Sequence, residues 1–206
     1  LNKLLNSNGK RSGNSMLVNI SKNCRSSHFI DSVLFRYSSS TSVRSIRSRF
    51  IRPRAMRAVV QRVSSASVEV DGMLVSEIGP GLVVLIGLHE SDSDADAEYI
   101  CRKVLNMRLF KNESNGKGWD ESVMQRKYGV LLVSQFTLFG VLKGNKPDFH
   151  VAMNPDNAKI FYASVVERFK KLYTEDAVKD GVFGAMMKVS LVNDGPVTML
   201  IDSQSK

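Results

Sequence analysis

The chain of 206 residues carries 29 Lys and Arg against 20 Asp and Glu, a net charge of +9, but residues 1–55 alone hold eleven basic side chains and a single acid, Asp31. The other 151 residues are close to neutral at −1, so the high overall charge is no sign of a nucleic-acid surface on the folded part, and any such contact must use local patches. No apolar run approaches the ~20 residues of a membrane-spanning helix, and Cys24 and Cys101 are too few and too far apart for a zinc site.

The first 55 residues form a leader. They are rich in Ser and Arg and poor in acids, with Ser38, Ser39 and Ser40 in a row and arginines at 36, 44, 47, 49, 52 and 54. That composition resembles an organellar transit peptide, addressed to a mitochondrion or plastid. The alternatives are a disordered basic tail or translated upstream sequence, since the chain opens on Leu1 rather than on methionine. Residues 56–206 are then the domain.

Within the domain, Arg57 to Val63 and Ser67 to Val70 read as strands. Asp71-Gly72 is a hairpin signal leading into Leu74 to Ile78. Gly79-Pro80-Gly81 turns the chain, and Leu82-Val83-Val84-Leu85-Ile86 has the unbroken apolar character of a central strand buried on both faces. Acids concentrated between Asp92 and Glu98 mark a helix start. Ala97, Ile100, Cys101, Val104 and Met107 form its apolar stripe, in which Cys101 acts as a small apolar residue.

Val130 to Val133 is another strand-sized apolar run. Asn154 as N-cap with Pro155 at the first helical position announces a second helix, buried along Ala158, Phe161, Tyr162, Val165, Phe169 and Leu172. Phe183 to Val192 and Pro196 to Ile201 supply closing strands. Strands and two main helices in this order predict an α+β domain.

Two segments stand out against this background. In Ser134-Gln135-Phe136-Thr137-Leu138, a period-two strand turns Gln135 and Thr137 to one face, and buried polar groups cost free energy unless partnered. In Asn193-Asp194-Gly195-Pro196-Val197-Thr198, proline removes a ladder donor and glycine weakens a strand. The pair therefore marks an edge, a bulge or a close backbone approach to a ligand.

At these residues the chain resembles the D-aminoacyl-tRNA deacylases of eukaryotic type. The likeness starts at Met56-Arg57-Ala58-Val59-Val60-Gln61-Arg62-Val63. It runs through Ala66-Ser67-Val68, Gly79-Pro80-Gly81-Leu82, Val104-Leu105-Asn106-Met107-Arg108-Leu109-Phe110 and Lys143-Gly144-Asn145-Lys146-Pro147-Asp148-Phe149, and ends near Asp202. Met56 sits where members of that family usually begin, so initiation there implies a leaderless cytoplasmic protein.

The resemblance implies a layered β/β/α homodimer with the pocket at the subunit interface. It implies hydrolysis of the ester of D-aminoacyl-tRNA, and of mischarged glycyl-tRNA, as proofreading in translation. The substrate-binding residues carried over are Ser134, Gln135, Phe136, Gly195 and Pro196, with Gln135 and Thr137 as the catalytic candidates. The implied mechanism uses backbone oxyanion donors and the 2′-hydroxyl of the terminal tRNA adenosine, with no cofactor and no metal. Gly195-Pro196 is implied to form a cis peptide that rejects L-amino acids in the partner's pocket. After Leu138, Phe139-Gly140-Val141-Leu142 departs from the bacterial pattern of an alanine or tyrosine followed by acids.

The residues themselves leave alternatives open. Thr137 is the candidate side-chain nucleophile in its motif, but Gln135 and Ser134 are poor bases, so a structural hydroxyl is the plainer reading. A threonine-nucleophile esterase and a catalytically silent tRNA-binding homologue are the competing functions. His28, His89 and His150 compose no catalytic constellation. Lys143, Lys146 and Arg62 are candidates for tRNA phosphates.

Overall fold

The computed structural model describes residues 56–204, and the expectations placed on the leader lie outside the described residues. The first strand is continuous rather than split: β1 spans Arg57–Val70, and β2, Met73–Ile78, returns along it. Asp71 and Gly72 both have positive φ, 51° and 79°, as the tight hairpin turn expected there requires. β3, Gly81–Gly87, pairs with the proximal half of β1 on the same side, antiparallel from Arg57↔Gly87 to Val63↔Gly81.

α1, Asp94–Asn106, starts two residues later than the acidic run suggests. Ser93 is the cap, and its N–H donates to the Asp96 carboxylate at 2.9 Å, so Asp92 is left outside the helix. α2, Val123–Arg126, is a single turn that the sequence pattern does not announce. β4, Gly129–Ser134, lies parallel to β3, and β7, Val178–Asp180, parallel to β4. A small hairpin of β5, Val141–Lys143, and β6, Lys146–Asp148, intervenes before α3, Pro155–Leu172. As expected, the Asn154 side chain caps α3, accepting the Asp156 N–H at 3.0 Å.

β8, Met187–Asp202, is one strand of 16 residues pairing antiparallel with nearly all of β1, so Phe183 is not in a strand. Strand order is β2-β1-β3-β4-β7, with β8 along the other side of β1. In a flat sheet β2 and β7 would lie far apart, yet the Ser76 hydroxyl donates to the Asp180 carbonyl at 2.5 Å. The sheet curls back over itself, and the register slips around Val63 and Ser65 provide the bend.

Two cores result. Ala58, Val60, Leu82, Val84, Ile86, Val130 and Leu132 face α1 and α3, meeting Ile100, Cys101, Val104, Val165 and Phe169. On the opposite face, Val63, Val83, Leu131 and Val133 meet Ala66, Val68, Met187, Val189 and Leu191 of the curled-over halves of β1 and β8. This is the expected β/β/α arrangement. Each fully buried Val, Leu, Ile or Phe among them contributes about 1.5–3 kcal/mol of transfer free energy.

Candidate active site

Parallel strands leave a crevice beyond their carboxyl ends, and Ser134 is the last residue of β4. The strand expected through Leu138 does not continue. The Gln135 N–H donates to the Ile86 carbonyl at 2.7 Å, and Phe136–Phe139 then winds into a 3-10 turn closed by Leu138 N–H to Gln135 and Gly140 N–H to Thr137. The cause is close packing beside β3. A Cβ on Gly87 would stand 2.9 Å from the Leu138 Cβ and 3.1 Å from the Gln135 carbonyl, so glycine admits the turn.

Buried Phe139 anchors the turn, edge-on to His89 with ring centres 5.2 Å apart. Arg57, at the start of β1, lies over that ring at 5.0 Å and donates from Nη1 to the Leu138 carbonyl at 2.8 Å. Sequence reasoning treated Arg57 only as a strand residue. A charged side chain opening an otherwise apolar strand was the available signal.

Anchoring Phe139 turns the other side of the turn outward. Phe136 is 58% exposed, and its ring meets Phe149 edge-on at 4.9 Å. Gln135 and Thr137 do face one another, though not as strand neighbours: the Gln135 amide Nε2 donates to Thr137 Oγ1 at 2.5 Å. An amide donor is no base, so nothing here activates the hydroxyl for attack. A 3-10 turn leaves its first N–H groups without acceptors inside the turn, here those of Phe136 and Thr137. The site therefore offers main-chain donors, one amide and one rigid aromatic face.

The Phe149 contact ties the β5–β6 hairpin to this turn. On it Asp148 pairs with Lys143 and, at 2.5 Å, with His150 Nδ1. These partners, Lys143 foremost, hold the Asp148 carboxyl well below the usual carboxylate range. Lys146 stands exposed at the tip.

Gly195 and Pro196 lie elsewhere on the sheet. On β8, Asn193 pairs with Val63 and Val197 with Arg62, so Asp194, Gly195 and Pro196 bulge out of the ladder, and their peptide is cis. The bulge is held from both sides. The Asn193 Oδ1 accepts the Val197 N–H at 3.2 Å, and Arg62 Nε reaches the Asp194 carboxylate at 2.9 Å and its carbonyl at 3.3 Å. Arg62 is itself fixed, donating from Nη1 to the Leu109 carbonyl at 2.5 Å and lying 5.8 Å from the Trp119 ring centre. Its side chain is only 18% exposed, so it organises the bulge rather than standing free for phosphate. A Cβ on Gly195, at φ 119°, would meet Val197 Cγ2 at 2.8 Å.

Within one chain the two segments do not meet. Register aligns Ser134 with Ile86, Ala58 and Ile201, whereas Gly195 sits three strands over and near Arg62. Strand spacing and residue rise put them about 14 Å apart both across and along the sheet.

Cys101 is fully buried, and burial pushes its thiol up to about 12, which leaves it inert. Among the described residues no three His, Cys, Asp or Glu side chains gather as a metal site, and no helix is long and apolar enough to cross a membrane.

The model of the D-Tyr-tRNA(Tyr) deacylase family matches residues 59–202. A D-aminoacyl-tRNA deacylase of Dictyostelium discoideum is 55% identical over 151 residues, 73% of this chain and 100% of the relative. D-aminoacyl-tRNA deacylase 1 of Homo sapiens is 52% identical over 148 residues, 72% of this chain and 70% of the relative. Among solved structures, a c-Myc DNA unwinding element binding protein superposes with TM-score 0.68 at 52% identity, over 70% of this chain and 97% of that one. A structure described as a probable eukaryotic D-amino acid tRNA deacylase, 20% identical, superposes with TM-score 0.61 over 71% and 98% of the two chains, a likeness of fold.

Proposed function

The chain belongs to the D-Tyr-tRNA(Tyr) deacylase family, and from that premise we propose how its residues hydrolyse the ester of a D-aminoacyl-tRNA. The enzyme is a hydrolase acting on that ester bond, and aminoacyl-tRNA is its substrate. The observation that carries the mechanism is the outward turn at the end of β4. It presents main-chain N–H groups and the Gln135 amide, with Thr137 Oγ1 already bonded to that amide.

In this reading water attacks the ester carbonyl carbon, and charge develops on the carbonyl oxygen. The N–H groups of Phe136 and Thr137 receive that charge, a contribution of about 3 kcal/mol per donor to barrier lowering. The bond to the ribose oxygen then breaks, and that oxygen takes a proton. The adjacent 2′-hydroxyl of the tRNA end assists water, because no side chain at the turn is a base. The ring of Phe136, held edge-on by Phe149, is the stacking face for the terminal adenine, and such stacking contributes about 1–3 kcal/mol.

Gly195 and Pro196 act as the filter against L-amino acids. Main-chain atoms beside the chiral carbon reject the wrong hand without reading the side chain, and glycine, which has no hand, passes and is hydrolysed. The separation of the two segments within one chain supports a pocket shared between two copies. So does the outer edge of β8, where Val192 and Leu200 are 59% and 68% exposed.

The relative named for a DNA unwinding element suggests a second ligand, but residues 56–206 carry a net −1, a poor match for duplex phosphates. The test is hydrolysis of matched D-, L- and glycyl-tRNA. Rapid release of the D-amino acid and of glycine with the L-ester spared is expected; equal rates on the two enantiomers overturn the filter.

A further inference from the structure

The turn that carries the proposed donors is loosely held by its own hydrogen bonds. A 3-10 turn has poorer hydrogen-bond geometry than an α-helix, and the bond from the Leu138 N–H to the Gln135 carbonyl is long at 3.3 Å. Donors to a developing oxyanion act over a narrow range of about 2.7–3.1 Å. Contacts from outside the turn must therefore set where it lies. Its entry is fixed by the Gln135 N–H on the Ile86 carbonyl at 2.7 Å, and its exit is held by Arg57.

Arg57 belongs to β1, which β3 separates from β4, and it reaches the turn because Gly87 is its partner in the β1–β3 register. Directly opposed residues of an antiparallel pair present their side chains on one face, and glycine leaves that path open. Three parts of the planar guanidinium are then in use. Nη1 donates to the Leu138 carbonyl at 2.8 Å, the central carbon stands 5.0 Å from the centre of the Phe139 ring, and Nε meets the Asp202 carboxylate at 3.4 Å. Leu138 and Phe139 are the last two residues of the turn. Asp202, at the end of β8, is steadied in turn by accepting the Gln204 N–H at 3.0 Å.

We propose that Arg57 is a positioning residue for the hydrolysis. By holding the exit of the turn at Leu138 and Phe139, it sets the direction of the Phe136 and Thr137 N–H groups at the other end, and Asp202 keeps its fork in register. A lysine ammonium is a point charge that cannot meet the carbonyl, the ring and the carboxylate together. Arg57 acts on the chemistry in this way only if those two N–H groups receive the carbonyl charge, as proposed above.

A misplacement of about 1 Å at the reacting groups can cost a hundredfold in rate. Arg57→Ala should accordingly lower kcat on D-aminoacyl-tRNA by roughly tenfold to a hundredfold with little change in KM. Arg57→Lys should fall between that variant and wild type. Asp202→Asn, which keeps an acceptor and loses the charge of a pair about a quarter exposed, should lose at most about fivefold. The preference for D- over L-esters should persist in all three, because the bulge at Gly195 and Pro196 is held by Arg62 instead.

The experiment measures kcat and KM per folded molecule, with Tm alongside, in the full chain on matched D- and L-aminoacyl-tRNA. Val104→Ala, a cavity in the helix-facing core, is the control: it should lower Tm at least as far as Arg57→Ala and leave kcat at the wild-type level. If Arg57→Ala does not fold, Arg57→Met, which keeps a stem over Phe139 and lacks the fork, takes its place in the comparison. Full kcat in the variant, a loss matched by Val104→Ala, or a loss confined to KM overturns the role of Arg57. A wild-type chain that hydrolyses neither ester removes the proposed function together with it, whereas a D-selective wild type beside a fully active Arg57→Ala removes the role of Arg57 alone.

Discussion

The Arg62 guanidinium grips Asp194 twice, at its carboxylate (2.9 Å) and at its carbonyl (3.3 Å), immediately before Gly195. The same side chain donates to the Leu109 carbonyl at 2.5 Å, so the bulge on β8 is tied through β1 to the segment after α1. A planar fork can serve these acceptors together, and an ammonium cannot.

Arg62→Ala should therefore loosen the bulge. Charge-assisted bonds of this kind contribute about 1.5–3 kcal/mol, less here because Asp194 is 56% exposed. The expected outcome is a folded protein whose preference for D- over L-aminoacyl-tRNA falls by roughly tenfold to a hundredfold. Arg62→Lys should recover little of it. Unchanged selectivity in both variants would remove Arg62 from the filter.

Thr137→Ala should keep hydrolysis of D-aminoacyl-tRNA within roughly threefold, well under the tenfold of 1.4 kcal/mol. Its hydroxyl accepts from Gln135 and has no base. Removing the 2′-hydroxyl from the terminal ribose should abolish turnover. An acyl group trapped on Thr137 would establish the nucleophile reading instead.

The alternation of Gln135 and Thr137 with Phe136 and Leu138 looked like strand, and the expectation that the two polar groups share a face survived although the strand did not. Periodicity is local, whereas the end of β4 was decided by Gly87 on the neighbouring strand and by Arg57 at the start of β1, long-range contacts that no window of sequence contains. The cap at Asn154, the turn at Asp71-Gly72 and the central strand after Gly81 were legible because their chemistry is local. The partners of Arg62, Asp194 and Leu109, were not legible in the same way, because they lie far away along the chain.

Gly87→Ala tests the packing that shapes the turn. The added Cβ would stand 2.9 Å from Leu138 and 3.1 Å from the ring of Phe139, and overpacking of this kind typically costs about 1–3 kcal/mol. A lower Tm should accompany a fall in kcat larger than any rise in KM, since the main-chain donors shift with the turn. Loss of stability with full turnover per folded molecule would show that the turn does not set the chemistry.

Cys101 supplies a check on the helix-facing core that is independent of catalysis. With its thiol pushed up to about 12 by burial, it should resist alkylation at pH 8 in the native protein and react promptly once unfolded, as peptide mass spectrometry would distinguish. Fast native labelling would mean that α1 opens from the sheet on the timescale of the reaction.

Lys146 separates affinity from chemistry. It stands exposed at the tip of the hairpin that Phe149 joins to Phe136, whereas Lys143 is committed to Asp148. A lysine that meets a phosphate releases about one counterion, so Lys146→Glu should weaken tRNA binding and lower the salt slope of log K by about one. Turnover of saturating substrate should stay at the wild-type level, because the charge lies away from the turn that bears the donors. A change in kcat at unaltered salt slope would place Lys146 in positioning the acyl end rather than in holding the tRNA backbone.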